Sequence, residues 1–373
     1  MTASTAFEGQ AIAAIDTPAL VVDLDALQRN LAAMAGYAQA QGLRLRPHAK
    51  THKSAWVAAQ QIALGAAGVC VQKTSEAEAL AEGGIGDIFI TNEVIDTAKL
   101  ARVAALARRC RLAIAVDSAL GIERLAAAVR AAGADIAVFV EIDVGQGRCG
   151  AGPLQAGALA RQVGDAGLRF AGLQAYHGQA QHLRTGAERA AAVEGAGACV
   201  RQALAAIETA GLTCPLVTGA GTGSFVNEAA SGLWGELQAG SYVFMDRDYA
   251  DNDASPGAPR FEHALFVKSQ VISRADDRAV VDAGHKSHAI DSGLPRVWAR
   301  DDLLFGNGGD EHGILCARDT AARLPALGET VWLVPGHCDP TVNLHDTLVG
   351  VRGGLMHGVV ERLITVDARG CVT

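Results

Sequence analysis

The sequence predicts a (β/α)₈ TIM barrel of the α/β class, followed by a C-terminal, mainly antiparallel β domain. Eight short apolar runs alternate with alanine-rich amphipathic segments before about residue 250, a pattern typical of a parallel barrel. Several of these runs end in polar residues, as barrel strands do where they reach an active site. Beyond the barrel, β-type runs continue without a long helical period, which indicates a second domain.

The predicted barrel strands are short apolar runs bounded by glycine or polar residues. They cover residues 44–50, 68–72, 87–92, 112–117, 136–143, 170–176, 216–219 and 236–244. Helical periodicity between the runs predicts helices that include residues 75–82, 97–109, 120–132 and 154–166. Because the carboxyl ends of barrel strands meet at one rim, we expect the polar residues that end these runs to share a site.

A polar linker rich in proline and glycine, residues 251–260, separates the barrel from the second domain. The runs predicted as strands beyond it are residues 264–272, 279–282, 330–334, 347–351 and 361–366. The early run 19–22 is also β-like, and it would pair either with the barrel or with the second domain. We therefore predict a barrel over residues 23–250 and a β domain made of residues 1–22 plus 251–373.

The composition excludes several classes of protein. The 373 residues are 50% hydrophobic and 19% charged, whereas a disordered chain combines low hydrophobicity with high charge. The net charge is −8 and no basic run occurs, so we expect no nucleic-acid partner. No apolar run approaches the ~18 residues of a membrane span, and the first residues lack the features of a signal peptide. Eight well-separated cysteines without a CxxC pair predict reduced thiols and a cytoplasmic location.

Lys50 follows the first predicted barrel strand, in the motif RPHAKTHK. The chain has only six lysines, so few side chains can supply a primary amine. A lysine at a strand end projects its amine into the barrel mouth, where it would form a Schiff base with an aldehyde if desolvation lowered its pKa. The alternative is a solvated basic loop.

Glycine-rich loops follow the seventh and eighth predicted strands. The first loop contains Thr218, Gly219, Gly221 and Thr222, and the second contains Ser241 and Tyr242. Small residues let backbone N–H groups approach a phosphate, and barrels often bind phosphate with the loops after these two strands. Ordinary turns also use glycine, so a purely structural role is the alternative.

Two further polar segments follow the fifth and sixth predicted strands. Arg148 lies on a glycine-rich turn after the fifth, and Tyr176, His177 and His182 follow the sixth. Two histidines and a tyrosine at one strand end would supply a general base. The alternative is a pair of surface histidines.

His337 and Asp339 lie two residues apart in the motif PGHCDPTVNLHD of the predicted β domain. In an extended segment their side chains would point to the same side and bind one divalent ion. An imidazole and a carboxylate completed by water suit Mn²⁺, Mg²⁺ or Zn²⁺. The alternative is an H-x-D spacing that has arisen by chance.

Together these motifs resemble the fold-type III enzymes that use pyridoxal 5′-phosphate (PLP), in the group of D-threonine aldolase, 3-hydroxy-D-aspartate aldolase and D-serine dehydratase, relatives of alanine racemase. The matching stretches include DTPALVVDLDAL, RPHAKTHK, VEIDVGQGRCG, AGLQAYHG, TGAGTGS, DEHG and PGHCDPTVNLHD. They occur in order along nearly the whole chain, which is far more specific than any one motif. The resemblance implies a barrel plus a β domain, assembled as a homodimer.

The resemblance also implies the residues that bind the cofactor. Lys50 would carry PLP, with Lys53 only its neighbour, and Arg148 and Tyr176 would lie beside the cofactor. The implied phosphate-binding residues are Gly219, Gly221, Thr222, Ser241 and Tyr242.

The implied reaction cleaves a D-β-hydroxy-α-amino acid, D-threonine-like or 3-hydroxy-D-aspartate, to glycine and an aldehyde. His182 would take the proton from the β-hydroxyl, and His337 and Asp339 would bind a divalent metal such as Mn²⁺ or Mg²⁺. The alternative is a D-serine or D-threo-3-hydroxyaspartate dehydratase, which releases a 2-oxo acid and ammonia. Dehydratases of the group tend to have Cys as the second metal ligand, whereas Asp339 follows the aldolase-like pattern. A racemase and a non-catalytic PLP carrier are further alternatives, although small carriers lack a second domain.

Overall fold

The structure is a computed structural model that describes residues 6–373, so the first five residues of the predicted β domain lie outside the described part. The strands are β1 (Ala19–Asp23), β2 (Arg44–Leu45), β3 (Val69–Val71), β4 (Asp87–Ile90), β5 (Arg111–Val116), β6 (Ala137–Glu141), β7 (Arg169–Ala175), β8 (Val217–Gly219), β9 (Glu236–Leu237), β10 (Leu265–Arg274), β11 (Ala279–Val281), β12 (Arg296–Val297), β13 (Leu303–Asn307), β14 (Gly313–Ala317), β15 (Thr330–Val334), β16 (Thr347–Arg352) and β17 (Val359–Thr365).

Most helices alternate with the strands of the first sheet. The α-helices are α1 (Leu24–Ala40), α2 (Ala55–Ala63), α3 (Thr74–Glu82), α4 (Thr97–Leu106), α5 (Ala119–Ala132), α6 (Ala156–Asp165), α7 (Gly186–Thr209), α8 (Phe225–Ser231), α9 (Arg247–Ala250), α10 (Cys338–Val342) and α11 (Gly354–His357). Short 3₁₀ helices cover Ile12–Ala14, Pro153–Gln155, Gln179–His182 and Ser241–Val243. In the described part of the chain, no helix combines the length and apolar character needed to cross a bilayer.

The first sheet has eight parallel strands in the order β2-β9-β8-β7-β6-β5-β4-β3. A parallel bridge between His48, just after β2, and Cys70 in β3 joins the two edges of the sheet. The order follows the chain around the ring, as it does when each strand–helix unit packs beside the previous one. The predicted TIM barrel is therefore confirmed.

The second sheet has nine strands and is mostly antiparallel. Its main path is β13-β14-β11-β10-β1-β16-β17, and β15 pairs with both β10 and β12. The early run 19–22 forms most of β1, which pairs antiparallel with β10 and parallel with β16. Of the two pairings that the sequence left open, the structure shows the one with the second sheet.

Side-chain caps fix where several helices begin. The Asp23 carboxylate accepts hydrogen bonds from the backbone N–H groups of Asp25 and Ala26 at the start of α1. Thr185 and Glu188 form a capping box at the start of α7. Such caps satisfy N–H groups that have no partner within the helix.

Several element boundaries differ from the prediction. The first predicted strand, 44–50, is a β-strand only over Arg44–Leu45, because Pro47 has no N–H to donate and the chain then turns. The predicted strand 236–244 ends at Leu237 and continues as the 3₁₀ helix Ser241–Val243. Both departures place irregular backbone at the carboxyl rim of the barrel, where it lines the cavity described next.

Two large hydrophobic cores hold these layers together. One core lies between the barrel wall and helices α2 to α7. The other contains barrel residues such as Leu45 and Leu237 together with residues of the second sheet such as Leu265 and Leu348. The barrel and the second sheet therefore share one core.

Candidate active site

A cavity of about 350 Å³ opens at the carboxyl ends of the barrel strands. It is lined by six of the residues singled out in the sequence: Lys50, Arg148, Tyr176, Gly221, Thr222 and Ser241. These residues follow five different strands, β2, β6, β7, β8 and β9, so the structure brings these polar strand ends together at one cavity.

Lys50 lies on the turn that follows β2, and its side chain is 37% exposed. Its Nζ lies 2.5 Å from Oδ2 of Asp339, at the start of α10. Lys53 points elsewhere, because its Nζ pairs with Glu76 at 3.1 Å and contacts the carbonyl of Ala368 at 3.2 Å. Of the two lysines in this motif, only Lys50 faces the cavity.

The electrostatics of Lys50 differ from the expectation drawn from the sequence. Burial disfavours the ammonium form, but the adjacent Asp339 carboxylate outweighs burial and holds the pKa of Lys50 above its usual range. Burial likewise disfavours ionised Asp339, yet Lys50 and His337 hold the pKa of that carboxyl well below its usual range. In this arrangement the two side chains form an ion pair.

Arg148 and Tyr176 lie against each other at one side of the cavity. The Arg148 guanidinium carbon is 5.8 Å from the centre of the Tyr176 ring, a cation–π contact. Burial raises the pKa of Tyr176, although Lys50 and Arg148 oppose this shift. A neutral phenol and a fixed positive charge therefore stand side by side.

The glycine-rich loops form a tightly packed wall of the cavity. The Thr222 hydroxyl accepts a hydrogen bond of 3.0 Å from the backbone N–H of Tyr242, which joins the two loops. A Cβ at Gly221 would lie 2.4 Å from Oε1 of Gln181, and a Cβ at Gly240 would lie 2.8 Å from the carbonyl of His48. Because the neighbour of Gly240 is backbone, a side chain at this position would push the two loops apart.

Three residues of the predicted phosphate site do not line the cavity. The Thr218 hydroxyl donates to Glu236 at 2.9 Å inside the barrel. The Tyr242 side chain is buried, and its hydroxyl accepts a hydrogen bond of 3.1 Å from Gln61. A Cβ at Gly219 would lie 2.1 Å from the carbonyl of Ala175, so this glycine permits close strand packing.

His337 and Asp339 come together beside Lys50, with 3.9 Å between His337 Nε2 and Asp339 Oδ1. They do not belong to an extended segment, as the sequence suggested, because His337 precedes helix α10 and Asp339 lies in its first turn. Nδ1 of His337 lies 2.7 Å from the Asp291 carboxylate, so Nε2 is directed towards Asp339. Burial opposes protonation of His337, but Asp339 and Asp291 raise its pKa.

A carboxylate that orients a histidine is the common arrangement behind a metal-binding imidazole. Within residues 6–373, no group of three or more potential ligands is assembled, so protein atoms supply this pair alone. Cys338, between the two residues, is fully buried in the core, and its pKa is raised well above the usual range by burial. Its environment is that of a structural thiol.

His182 lies just outside the cavity and contacts it through Tyr249, whose ring centre is 5.7 Å from that of His182. Nδ1 of His182 is 2.5 Å from Oδ2 of Asp248, and Oδ1 of Asp248 is 2.5 Å from Arg184. Burial raises the pKa of Asp248, but Arg184 and His182 outweigh it and lower the pKa. The ionised carboxylate therefore fixes one nitrogen of the imidazole and leaves Nε2 free of this contact.

The sequence reasoning missed several polar residues of the site. His48 and Gln72 line the cavity and are linked to Thr91, with His48 Nε2 3.1 Å from the Thr91 hydroxyl. Tyr249 also lines the cavity. His48, Gln72 and Thr91 lie at the polar ends of predicted strands, and this position could have identified them. Nothing in the sequence marks Tyr249.

Comparisons with known proteins decide the family. The alanine racemase N-terminal domain family matches residues 22–248, and a putative serine dehydratase domain family matches residues 264–351. The chain is 46% identical to a D-threonine aldolase of Arthrobacter sp. over 365 residues, covering 97% of this chain and 95% of the relative. The chain belongs to the D-threonine aldolase family.

Two further relatives agree with this assignment to the D-threonine aldolase family. A 3-hydroxy-D-aspartate aldolase of Paracoccus denitrificans (strain Pd 1222) is 44% identical, over 95% of this chain and 92% of the relative. The crystal structure of a D-threonine aldolase from Filomicrobium marinum matches with a TM-score of 0.96 and 49% identity, over 100% of both chains. As a member of this family, the protein is a lyase of the PLP-dependent fold type III.

Membership of the D-threonine aldolase family implies PLP as the cofactor, and the residues of the cavity fit it. A lysine amine faces the cavity, a cationic guanidinium lies beside an aromatic ring, and glycine-rich loops form a wall. The Thr51 hydroxyl also lines the cavity, next to the Asp339 carboxylate.

Proposed function

We propose that this protein cleaves D-β-hydroxy-α-amino acids, D-threonine-like compounds or 3-hydroxy-D-aspartate, to glycine and an aldehyde. The observation that carries the proposal is the convergence on Asp339: Lys50 Nζ lies 2.5 Å from one carboxylate oxygen and His337 Nε2 lies 3.9 Å from the other. The lysine proposed to carry the cofactor and the two residues proposed to bind the metal therefore lie side by side.

Lys50, Arg148 and Tyr176 would hold PLP at its reactive end, with Lys50 as the covalent attachment. Its phosphate would lie against the glycine-rich loops, where Gly221, Thr222 and Ser241 line the cavity and Thr218, Gly219 and Tyr242 support the wall. When bound, PLP supplies an electron sink for the electron pair left on the α-carbon. Arg148, beside the Tyr176 ring, would keep a fixed positive charge at that end of the cavity.

His337 and Asp339 would hold a divalent metal such as Mn²⁺ or Mg²⁺, with Asp291 orienting His337. Such an ion supplies Lewis-acid polarisation of the substrate's β-hydroxyl. Asp339 gives the site its negative charge, and His337 presents Nε2 on the same side. His337 immediately precedes α10, and Asp339 lies in its first turn. The backbone N–H of Cys338 donates a hydrogen bond of 2.9 Å to Asp246, which fixes the start of this helix.

His182 would take the proton of the β-hydroxyl on Nε2 while Nδ1 stays bound to Asp248. Asp248 then stabilises the imidazolium ion. His182 does not itself line the cavity, so it would receive the proton through a water or after a small movement past Tyr249. Bond cleavage leaves the hydroxyl-bearing carbon as the aldehyde, and the α-carbon then takes up a proton to become the methylene of glycine.

A dehydratase is the second candidate, and the match of residues 264–351 to a serine dehydratase domain family supports it. An aldolase breaks the Cα–Cβ bond, whereas a dehydratase removes the α-proton and expels hydroxide. Asp339 in place of a cysteine ligand and the names of the relatives at 46% and 44% identity favour the aldolase.

Product analysis with D-threonine separates the two. The PLP-loaded protein with Mn²⁺ is expected to release glycine and acetaldehyde in equal amounts. Equal amounts of 2-oxobutanoate and ammonia would instead establish the dehydratase. Removal of the metal with EDTA is expected to abolish turnover, and added Mn²⁺ to restore it, while L-threonine serves as the stereochemical control.

We further propose a cytoplasmic homodimer with a barrel over residues 23–250 and a β domain over residues 1–22 plus 251–373. The eight free cysteines support a reducing compartment. The separate strand orders of the two sheets support the domain boundaries, and the family resemblance supports the homodimer.

A further inference from the structure

A cavity with a volume of about 1030 Å³ lies at the opposite end of the barrel from the candidate active site. Its lining includes the first residues of five barrel strands: Arg44, Asp87, Arg111, Arg169 and Glu236. The amino ends of parallel barrel strands form the face away from the catalytic rim. This cavity is therefore distinct from the site that contains Lys50.

Arginine dominates its lining. We define the arginine cup as the part of this cavity lined by Arg44, Arg46, Arg108, Arg109, Arg111 and Arg169. The same cavity contains three carboxylates, those of Asp87, Asp135 and Glu236. Six positive charges against three negative charges leave an excess of three positive charges, in a chain whose net charge is −8.

The carboxylates hold four of the arginines in place. Arg46 is buried between Asp87 at 2.5 Å and Glu236 at 3.3 Å. Arg44 pairs with Glu236, Arg111 with Asp87 and Arg169 with Asp135. Because the carboxylates share their charge among several arginines, the paired guanidinium groups keep unused donors on a preorganised scaffold.

Arg108 and Arg109 have no such partner. Both lie on the turn after α4 and are exposed, and neither forms an ion pair with any residue between 6 and 373. Both residues nevertheless line the cup. Two adjacent positive charges repel each other, and a bound anion between them would relieve this repulsion. Arg108 and Arg109 are therefore the expected contacts of an anionic ligand.

The floor of the cup is apolar. Phe139 and Leu216 line it, and the Phe139 ring packs on Phe89 inside the barrel with 4.6 Å between ring centres. Charges placed over an apolar floor are less well solvated than charges on an open surface, so they attract an anion more strongly. Both rings belong to a small hydrophobic cluster with Cys70 and Ala115.

We propose that the arginine cup binds a small multivalent oxyanion that carries phosphate groups, of the pyrophosphate or triphosphate class. Guanidinium groups bind phosphate oxygens through pairs of parallel hydrogen bonds, and several arginines around one concavity favour more than one phosphate group. The excess of three positive charges matches the charge of such an anion. The site is independent of the chemistry at the opposite rim.

Titration calorimetry with inorganic pyrophosphate tests this proposal. The protein is loaded with PLP and kept free of divalent metal, so that the phosphate site of the cofactor is occupied and pyrophosphate has no ion to chelate. Wild-type protein is expected to bind one pyrophosphate per chain while the visible absorbance of PLP is unchanged. The double variant Arg108→Ala/Arg109→Ala is expected to bind at least about tenfold more weakly, since it loses two charge-assisted contacts.

The matched control is Arg318→Ala/Arg323→Ala, which removes two exposed arginines from the second sheet's side of the molecule. This control lowers the net charge equally and is expected to bind pyrophosphate as the wild type does. The proposal is overturned if wild-type protein binds no pyrophosphate, if both double variants weaken binding equally, or if pyrophosphate displaces PLP.

Discussion

Two lysines line the candidate active site, and their surroundings differ. Lys50 contacts the Asp339 carboxylate at 2.5 Å, whereas Lys73 is exposed at the rim just before α3. A covalent attachment to PLP needs an amine held at one position where it can react with the aldehyde group. The structure gives this fixed position to Lys50.

We therefore expect Lys50→Ala to lose the visible absorbance of lysine-bound PLP and the cleavage of D-threonine. Lys73→Ala is the control, and it is expected to retain the lysine-bound absorbance. Spectra of both purified variants after loading with PLP make the measurement. Lysine-bound absorbance that persists in Lys50→Ala would transfer the attachment to another amine.

Asp248 controls the orientation of His182 through the 2.5 Å contact with Nδ1. Asp248→Asn replaces the acceptor with an amide and removes the charge that stabilises protonated His182. We expect kcat for D-threonine to fall at least about tenfold with little change in KM, since a general base contributes ~100- to 10 000-fold. Asp251→Asn, at the end of the same helix, is the control. Normal activity of His182→Ala would contradict the role of His182 as the base. A further loss of activity when Asp248→Asn is added to His182→Ala would show that Asp248 does not act through His182.

The sequence alone identified several site residues but not the residues that orient them. Lys50, His337 and Asp339 stand in short motifs, so their local spacing was enough to single them out. Asp248 and Asp291 orient His182 and His337 from 66 and 46 residues away, a relation that only tertiary folding creates. Nor does spacing tell which way a side chain points in an irregular loop.

At the scale of elements, helix α8 contains a buried carboxyl group with an unusual titration. Glu228 is 2% exposed, and its Oε1 accepts a hydrogen bond of 2.7 Å from Ser224, while Oε2 has no partner among the described residues. Burial raises the pKa of Glu228 from 4.5 to about 7, and the Ser224 bond opposes the shift. Between these values the folded state keeps a proton that the unfolded state has lost, so stability falls as the pH rises.

Glu228→Gln removes this titration. We compare the free energy of unfolding of the variant with that of the wild type at each pH. The difference, variant minus wild type, is expected to be about 2–3 kcal/mol larger at about pH 8 than at about pH 5. Urea unfolding of the PLP-loaded proteins at the two pH values measures the difference. Glu194→Gln, at an exposed position on α7, is the control. Parallel pH profiles of Glu228→Gln and wild type would contradict the assignment.

The alternation of strands and helices was predictable because buried parallel strands are continuous apolar runs and the flanking helices have a 3.6-residue period. Element ends were less predictable. The segment from 236 to 244 is apolar enough for a strand, yet its close contact with the loop after β2, through Gly240, imposes a 3₁₀ turn. At the rim that forms the site, a contact between distant segments therefore decides the backbone conformation against the local apolar pattern.

At the scale of the whole molecule, the barrel and the second sheet share a hydrophobic core. Leu45 and Leu237 from the barrel belong to the same cluster as Leu265 and Leu348 from the sheet. Exposing either face would leave the other's apolar surface in water, so neither part is expected to unfold separately.

We therefore expect calorimetry of the PLP-loaded protein to give a single unfolding transition. Ile114→Ala in the barrel core and Leu348→Ala in the shared core are each expected to lower the midpoint of that same transition, at a cost of about 2–5 kcal/mol. Two resolved transitions, of which only one responds to each substitution, would show that the parts unfold independently.

The position of β1 has a consequence for how the protein is made. This strand, ALVVD, precedes the barrel in the chain, but its two neighbours in the sheet are β10 and β16, which leave the ribosome only after the entire barrel. An apolar strand with both edges unpaired is a site of aggregation. We therefore expect the nascent chain to keep β1 covered by provisional contacts with the barrel until β10 and β16 have been translated.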